Sequence, residues 1–263
     1  LEKSVGIFHE QYKTFVMVIK FPFYFEPGGE DRTIHVYLPN DYYDSDERYP
    51  VVYMFDGQNL FHDWDATFGK SWGIADFLDH WGKKVIVVGM ECSHHGHERL
   101  FEYCPYGFTE KNVGKVVGRG VKTMNWFVKD LKPYIDKNYR TWSHREATAI
   151  AGSSMGGMMA LFAVLRYNKV FSKSAAVSPE FFATLPLFLK ELTRNKINPD
   201  TRLFMSWGTE EDKRGWMTKR IMKMEEAVQK HGVSTWLYHQ QGGQHCEGDW
   251  EKQVPTWMEF LWN

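Results

Sequence analysis

Short apolar runs alternate with segments of helical spacing along most of this chain. Val51–Phe55 and residues 85–88 are uninterrupted apolar runs, a pattern typical of strands buried on both faces of a parallel sheet. Residues 74–81 lie between them and have helical spacing. Because parallel strands require crossover connections, which helices usually provide, the alternation predicts an α/β fold with helices on both faces of the sheet.

The alternation continues to the end of the sequence, whereas the beginning differs. Residues 14–21 and 33–38 are strand-like and flank the turn-forming residues 26–29, so they predict an antiparallel pair. Further strands are predicted at residues 147–151, 174–177, 203–207 and 235–239. Further helices are predicted at residues 121–136, 155–166, 182–192, 216–230 and 250–262, and Pro255 is expected to kink the last one or delay its start. The expected architecture is a mostly parallel central sheet of about eight strands with an antiparallel start.

The composition favours one domain and argues against several classes of partner. A chain of 263 residues, 43% of them hydrophobic, is long enough to bury a substantial core. No repeat or Pro/Ser-rich linker divides it, so we expect a single domain over residues 1–263. The formal net charge is −1 and both signs are scattered, which argues against nucleic acid and anionic membranes as partners. No apolar run approaches the ~18 residues of a membrane span. Nothing in the composition distinguishes a monomer from a homo-oligomer.

Cysteine usage and the first residues bear on the cellular compartment. Three cysteines are an odd number in a long chain, so they do not predict a disulfide framework and they fit a reducing compartment. The first residues, Leu1-Glu2-Lys3-Ser4, show no signal-peptide pattern. We therefore expect a cytoplasmic protein, although a signal peptide that had been removed would leave no trace in this sequence.

The segment Gly152-Ser153-Ser154-Met155-Gly156 contains the pattern G-x-S-x-G between a predicted strand and a predicted helix. A serine on such a tight turn projects its hydroxyl out of the sheet, and small flanking residues prevent backbone clashes. The helix that begins at Met155 directs its free N–H groups and positive dipole end toward the place where an oxyanion would develop. This context favours a nucleophile elbow carrying Ser154 over an ordinary glycine-rich turn.

A carboxylate cluster and a histidine follow Ser154 in the order that an α/β-hydrolase requires. His245 lies in a glycine-containing loop after the last predicted strand, and among eleven histidines it has the position that suits a catalytic base. The strand at residues 203–207 runs into Glu210-Glu211-Asp212. The residues alone do not identify which of these carboxylates is the triad acid.

Other loops offer further candidate site residues. The loop after Val51–Phe55 is where the second oxyanion N–H of this fold usually lies, and we expect the Gln58 amide to supply it. Residues 92–120 show little secondary-structure signal and contain several aromatic side chains. We interpret them as an insertion, in which Tyr103 and Phe108 form either a substrate-binding wall or a packed support. The cluster His94-His95-Gly96-His97 lacks the spacing and partners of a metal site, and neither a metal nor a cofactor is expected.

Four motifs together resemble the Putative esterase (esterase D-like) family of α/β-hydrolase-fold serine esterases. They are Val52-Tyr53-Met54-Phe55-Asp56-Gly57-Gln58-Asn59, Gly152-Ser153-Ser154-Met155-Gly156-Gly157, Trp207-Gly208-Thr209 and Gly243-Gln244-His245. The resemblance covers nearly the whole chain. It implies Ser154 as nucleophile, His245 as base and the backbone amides of Met155 and Gln58 as oxyanion hole. It also implies Glu211 as the acid, with Asp212 as the alternative because aspartate is frequent at this point in the family.

The reaction implied by this resemblance is two-step acyl transfer on a small-molecule carboxylic ester, without a cofactor. The family includes enzymes that act on carbohydrate-linked, aryl and siderophore esters. Two alternatives stay open. An acyltransferase would use the same triad but pass the acyl group to an alcohol, and a noncatalytic binding protein on the same scaffold would normally lose a triad member.

Overall fold

The computed structural model describes residues 18–111 and 113–263. Residues 14–17 of the first predicted strand lie outside the described residues, and the strand itself extends further than expected, to Phe25. The strands are β1 (Val18–Phe25), β2 (Glu30–Tyr37), β3 (Val51–Phe55), β4 (Ile86–Met90), β5 (Phe108–Glu110), β6 (Gly114–Val116), β7 (Thr148–Ser153), β8 (Lys173–Val177), β9 (Arg202–Gly208) and β10 (Ser234–Gln240).

Eight of these strands form one sheet in the order β1-β2-β4-β3-β7-β8-β9-β10. The first two strands pair antiparallel, β2 pairs antiparallel with β4, and the remaining pairs are parallel. The predicted architecture, a mostly parallel sheet with an antiparallel start, is therefore confirmed. The other two strands, β5 and β6, form a small separate hairpin.

Helices cover both faces of the sheet. They are α1 (Ile74–His80), α2 (Glu98–Glu102), α3 (Gly120–Trp126), α4 (Lys132–Asn138), α5 (Met155–Arg166), α6 (Leu185–Arg194), α7 (Trp216–Gln229), α8 (Glu247–Glu251) and α9 (Val254–Trp262). A π-helical segment, Phe127–Leu131, joins α3 and α4, and short 3₁₀ turns lie at Tyr42–Asp44, Gly57–Asn59 and Arg145–Ala147. Apolar residues of α3 to α7 belong to one buried cluster, and those of α1, α8 and α9 belong to a second cluster on the opposite face.

The central strands contribute to both clusters because successive side chains of a strand point to opposite faces. In β3, Val51, Tyr53 and Phe55 belong to the first cluster, whereas Val52 and Met54 belong to the second. Burial on both faces explains why this strand is uniformly apolar rather than alternating. No helix in the described part of the chain combines the length and apolar character that a bilayer crossing requires.

The helix predicted at residues 121–136 is divided into α3, the π-helical segment and α4, and two other predicted helices also differ from those observed. The helix expected at residues 182–192 begins at Leu185, because Phe182 has a φ of 45°, which a right-handed helix cannot contain, whereas Pro186 fits the first helical turn. The helix expected at residues 250–262 is two helices, α8 and α9, and Pro255 lies in the first turn of the second.

The insertion at residues 92–120 is more regular than its sequence indicated. It contains the short helix α2 and the hairpin of β5 and β6. Both elements are short, and neither gives a clear periodicity over a window of residues. The described residues between β4 and α3 therefore include short regular elements.

Candidate active site

Ser154 occupies a strained position between β7 and α5. Its backbone angles are φ 56° and ψ −118°, a region that non-glycine residues seldom adopt. Its N–H donates to the Val177 carbonyl oxygen at 2.9 Å, which ties the turn to the neighbouring strand. Space is tight on both sides, since an added Cβ would lie 2.7 Å from the Gly156 carbonyl carbon if placed on Gly152, and 2.9 Å from the Phe55 Cβ if placed on Gly156. Glycine is therefore required at position 152 by the nearby Gly156 backbone and at position 156 by the nearby Phe55 side chain.

His245 is oriented by Glu211. The imidazole Nδ1 lies 2.5 Å from Glu211 Oε2, and the glutamate side chain is only 4% exposed. The other carboxylate oxygen, Oε1, accepts hydrogen bonds from the Ser178 hydroxyl at 2.7 Å and the Gly208 amide at 2.5 Å. In the tautomer that this contact favours, Nδ1–H donates to the carboxylate and Nε2 keeps its lone pair.

Trp250 supports this arrangement from the second face of the sheet. Its ring meets the imidazole of His245 edge-on, with ring centroids 5.0 Å apart. Its indole N–H donates to the Ser178 hydroxyl at 3.1 Å, and that hydroxyl in turn donates to Glu211. The ring and its carboxylate partner are therefore held by packing as well as by hydrogen bonds.

Asp212, the alternative acid, forms its side-chain hydrogen bonds at the start of α7 and not with His245. Its carboxylate accepts hydrogen bonds from the amides of Met217 and Thr218 at 3.0 and 2.7 Å and from the Thr218 hydroxyl at 2.7 Å. Partial burial opposes ionisation, but these hydrogen bonds outweigh it and hold the pKa of Asp212 below its ordinary value. Asp212 thus satisfies free N–H groups at the start of α7.

Ser154 and His245 line the same cleft, which has a volume of about 640 Å³. Its walls also include side chains that the sequence analysis did not select: Asn59, Thr67, Phe68, Cys92, Arg99 and Glu247. Phe68 is 80% exposed and offers an aromatic ring to whatever enters the cleft. Its loop has no secondary-structure pattern that could have pointed to it, whereas Glu247 could have been noticed two residues after His245.

The backbone amides of Gln58 and Met155, the predicted oxyanion donors, lie in the 3₁₀ turn after β3 and at the first residue of α5. Neither N–H donates a hydrogen bond to another residue in the described ranges. The Gln58 side chain is fixed by Cys92, whose amide donates to Oε1 at 3.3 Å and whose sulfur lies 3.2 Å from Nε2. Burial raises the pKa of the Cys92 thiol, which favours its neutral form.

The insertion holds the loop that carries Gln58. Arg99 of α2 forms a bidentate pair with Asp56, at 2.6 Å from Nε to Oδ1 and 2.8 Å from Nη2 to Oδ2. Asp56 has a φ of 58° and is the turn residue directly before Gly57. Its amide donates to the Tyr103 hydroxyl at 3.3 Å. The insertion therefore stabilises a left-handed backbone conformation beside the candidate oxyanion hole.

The two residues proposed to bind substrate do not line the cleft. Tyr103 is 0% exposed and packs against Phe55, with ring centroids 4.9 Å apart. Phe108 stacks on Phe182, with centroids 4.6 Å apart. The expectation that Tyr103 and Phe108 form a substrate-binding wall is therefore wrong, because both rings are used to pack the insertion against the body of the protein.

The histidine cluster of the insertion is exposed and lies beside surface carboxylates, with His94 Nε2 at 3.6 Å from Glu91 Oε2. Among the side chains that the structure describes, no group of three or more His, Cys, Asp and Glu is arranged to hold a metal ion.

Comparisons with known proteins identify the family of this chain. The family model described as Putative esterase matches residues 27–261. The chain is 23% identical to YbbA of Bacillus subtilis strain 168 over 248 residues, which cover 90% of this chain and 95% of YbbA. It is 32% identical to Esterase Rv1288 of Mycobacterium tuberculosis strain ATCC 25618 / H37Rv over 153 residues, which cover 57% of this chain and only 29% of that protein.

A solved structure has the same fold. The IroE-like serine hydrolase from Shewanella oneidensis superposes with a TM-score of 0.74 at 19% identity, over 93% of this chain and 79% of that chain. The match of the family model to nearly the whole sequence is the stronger finding. The chain therefore belongs to the Putative esterase family and is a carboxylic ester hydrolase with the α/β-hydrolase fold.

Proposed function

We propose that this enzyme is a serine esterase in which Ser154, His245 and Glu211 act as the catalytic triad. The observation that carries the proposal is the pairing of His245 with buried Glu211 in the cleft that also contains Ser154. A buried carboxylate that receives Nδ1–H fixes the tautomer in which Nε2 can take the serine proton, and it stabilises the imidazolium that follows.

The reaction proceeds in two steps. The Ser154 oxygen attacks the ester carbonyl while His245 takes its proton, and the backbone amides of Gln58 and Met155 stabilise the oxyanion. The protonated imidazole then gives its proton to the departing alcohol, which leaves an acyl-serine. A water molecule, deprotonated by His245, releases the acid and restores the serine. Preorganised donors of this kind each contribute about 3 kcal/mol to the stabilisation of the transition state.

The substrate that we propose is a carboxylic ester of a small molecule. A cleft of about 640 Å³ has the volume of a small-molecule site. Its lining is mixed, with the exposed ring of Phe68 beside polar side chains such as Asn59 and Arg99. This lining supports esters with an aryl or hydroxyl-rich group more than esters of long aliphatic chains.

The proposal is tested by Ser154→Ala. We expect the variant to fold normally and to lose ester hydrolysis by about 10⁴-fold or more, since the nucleophile is removed. Hydrolysis of 4-nitrophenyl acetate and covalent labelling by a fluorophosphonate, followed by intact mass, measure the two effects. The matched control is Ser153→Ala, which changes the neighbouring serine. Near-normal turnover or labelling by folded Ser154→Ala would contradict the proposal.

A further inference from the structure

Glu247 is a buried carboxyl group inside the active-site cleft that the proposed mechanism does not use. It is the first residue of α8, two positions after His245, and it is 6% exposed. It lines the cleft together with Ser154 and His245. Burying a carboxyl group costs free energy unless its oxygens receive hydrogen bonds. Its position therefore calls for an explanation.

The partner of Glu247 belongs to the loop on the opposite side of the cleft. Asn59 Nδ2 donates to Glu247 Oε1 at 3.1 Å, across 188 positions in the sequence. The orientation of the Asn59 amide is fixed, because its Oδ1 accepts from the Thr67 amide at 2.9 Å. The Asn59 backbone is held as well, since its N–H donates to Asp56 and its carbonyl oxygen accepts from Trp72, both at 2.8 Å.

Asn59 directly follows Gln58, whose amide is the proposed oxyanion donor. Among the described residues, this contact is the one side-chain hydrogen bond between residues 56–59 and residues 245–247. Further along the chain, Lys70 and Glu251 form a salt bridge and Trp72 packs against Trp250, so the residues that follow each of the two loops are also in contact. The Asn59 contact joins the two loops themselves.

We propose that Glu247 is a positioning residue, which holds the oxyanion loop and the histidine loop at a fixed separation through Asn59. This inference rests on the proposed function. Misplacing a catalytic group by about 1 Å can cost on the order of 10²-fold in rate. A hydrogen bond that sets the distance between the oxyanion donors and the base therefore affects turnover without touching the substrate.

The charges around Glu247 are consistent with this role. Burial raises the pKa of Glu247, and the nearby Asp56 carboxylate raises it further, while His245 and Arg99 lower it. Both the carboxylate and the carboxylic acid present an oxygen that can accept the Asn59 N–H, so the contact itself does not depend on the protonation state of Glu247.

The test compares Glu247→Ala with Glu247→Gln. Alanine removes the acceptor, so kcat for a 4-nitrophenyl ester should fall by about 10- to 100-fold with little change in KM. Glutamine keeps an oxygen that can accept from Asn59 and cannot ionise, so it should restore kcat to within about threefold of wild type. Glu191→Ala is the matched control, because Glu191 is also buried, at 3% exposure, but pairs with Tyr106 and Asn195 away from the cleft. It should lower the melting temperature and leave kcat unchanged.

A double-mutant cycle adds the second readout. If Glu247 acts through Asn59, then Asn59→Ala, Glu247→Ala and the double variant should show similar losses of kcat rather than additive ones. Additive losses, equal kcat for Glu247→Ala and wild type, or equal defects in the alanine and glutamine variants would each overturn the proposal. Fluorophosphonate labelling of Ser154 in the wild type tests the proposed esterase function separately. If Ser154 is labelled and the Glu247 variants behave otherwise than expected, only the positioning role of Glu247 is overturned.

Discussion

The imidazole of His245 is oriented by the carboxylate of Glu211, which is almost completely buried. Glu211 has hydrogen-bond donors on both oxygens, from His245 on one and from Ser178 and Gly208 on the other. Such contacts restrict the carboxylate to one position, and a restricted partner gives the ring one orientation. Asp212, the next residue, is equally occupied, but at the start of α7.

These contacts predict opposite outcomes for two neighbouring substitutions. Glu211→Gln should lower kcat by about 10⁴-fold, because the amide cannot fix the tautomer or stabilise the imidazolium. Asp212→Asn should leave kcat nearly unchanged and destabilise the protein by about 1 kcal/mol through its weaker cap on α7. Ester hydrolysis and urea unfolding measure the two effects. A large loss of kcat confined to Asp212→Asn would reverse the assignment.

Some residues of the candidate site could be predicted from the sequence, and others could not. Chain order and the strand-to-helix context led to Ser154 and His245. They could not separate Glu211 from Asp212, because both follow the same strand and the direction of a loop side chain depends on tertiary contacts. Glu247 was missed for a related reason, since its partner Asn59 lies 188 positions away in the sequence.

At the scale of elements, the insertion lines the cleft with Cys92 and Arg99, whereas its aromatic residues Tyr103 and Phe108 pack against the body of the protein. Tyr103 and Arg99 both contact Asp56, and Cys92 contacts the Gln58 side chain. The aromatic residues of residues 92–120 suggested two roles from the sequence, a binding wall or packing. Composition could not decide between them, because aromatic rings serve both purposes and only their exposure distinguishes the two.

Selectivity should therefore depend on Phe68 rather than on Tyr103. Phe68→Ala removes an exposed ring, so the ratio of kcat/KM between a bulky aryl ester and an acetyl ester should change by about 10-fold. Tyr103→Ala leaves a cavity in the core, so it should cost about 3 to 5 kcal/mol of stability and affect all esters equally. A panel of 4-nitrophenyl esters with thermal melts checks both. Unchanged selectivity in Phe68→Ala would contradict the expectation.

The predicted bounds of elements failed where backbone conformation, and not periodicity, set them. The apolar residues at 182–192 suit a helix, but the positive φ of Phe182 delays the start to Leu185. For Val51–Phe55, the predicted bounds equal the observed ones. This strand is buried on both faces, so its apolar run ends where its burial ends.

At the scale of the whole molecule, the sheet brings the residues of the candidate site together from distant parts of the chain. Ser154, Glu211 and His245 follow β7, β9 and β10, and the carboxyl ends of parallel strands meet at one edge of a sheet. The alternation of strands and helices predicted this architecture. The order of strands in the sheet and the pairing of buried charges were not predictable, since both depend on contacts between segments far apart in sequence.

One such pairing joins β2 to the insertion and should matter for global stability. Arg32 and Glu102 form a buried ion pair, at 5% and 1% side-chain exposure, and Arg32 also contacts the more exposed Glu30. Glu102→Ala leaves a buried guanidinium with only the more exposed Glu30 beside it, so unfolding in urea should show a loss of about 3 kcal/mol. Glu30→Ala is the control and should cost less than about 1 kcal/mol. Equal losses of unfolding free energy in Glu102→Ala and Glu30→Ala would contradict the expectation that the buried pair contributes more to stability.

The contacts between the insertion and the turn at Asp56 also determine which segments would have to be exchanged together between two esterases. A graft of residues 92–120 alone would separate Arg99, Tyr103 and Cys92 from the turn that they hold. The resulting chimera would have a new cleft lining but a less firmly held oxyanion loop. Slow turnover would then hide any gain in substrate range. Residues 56–59 should therefore be transplanted with the insertion as a single module.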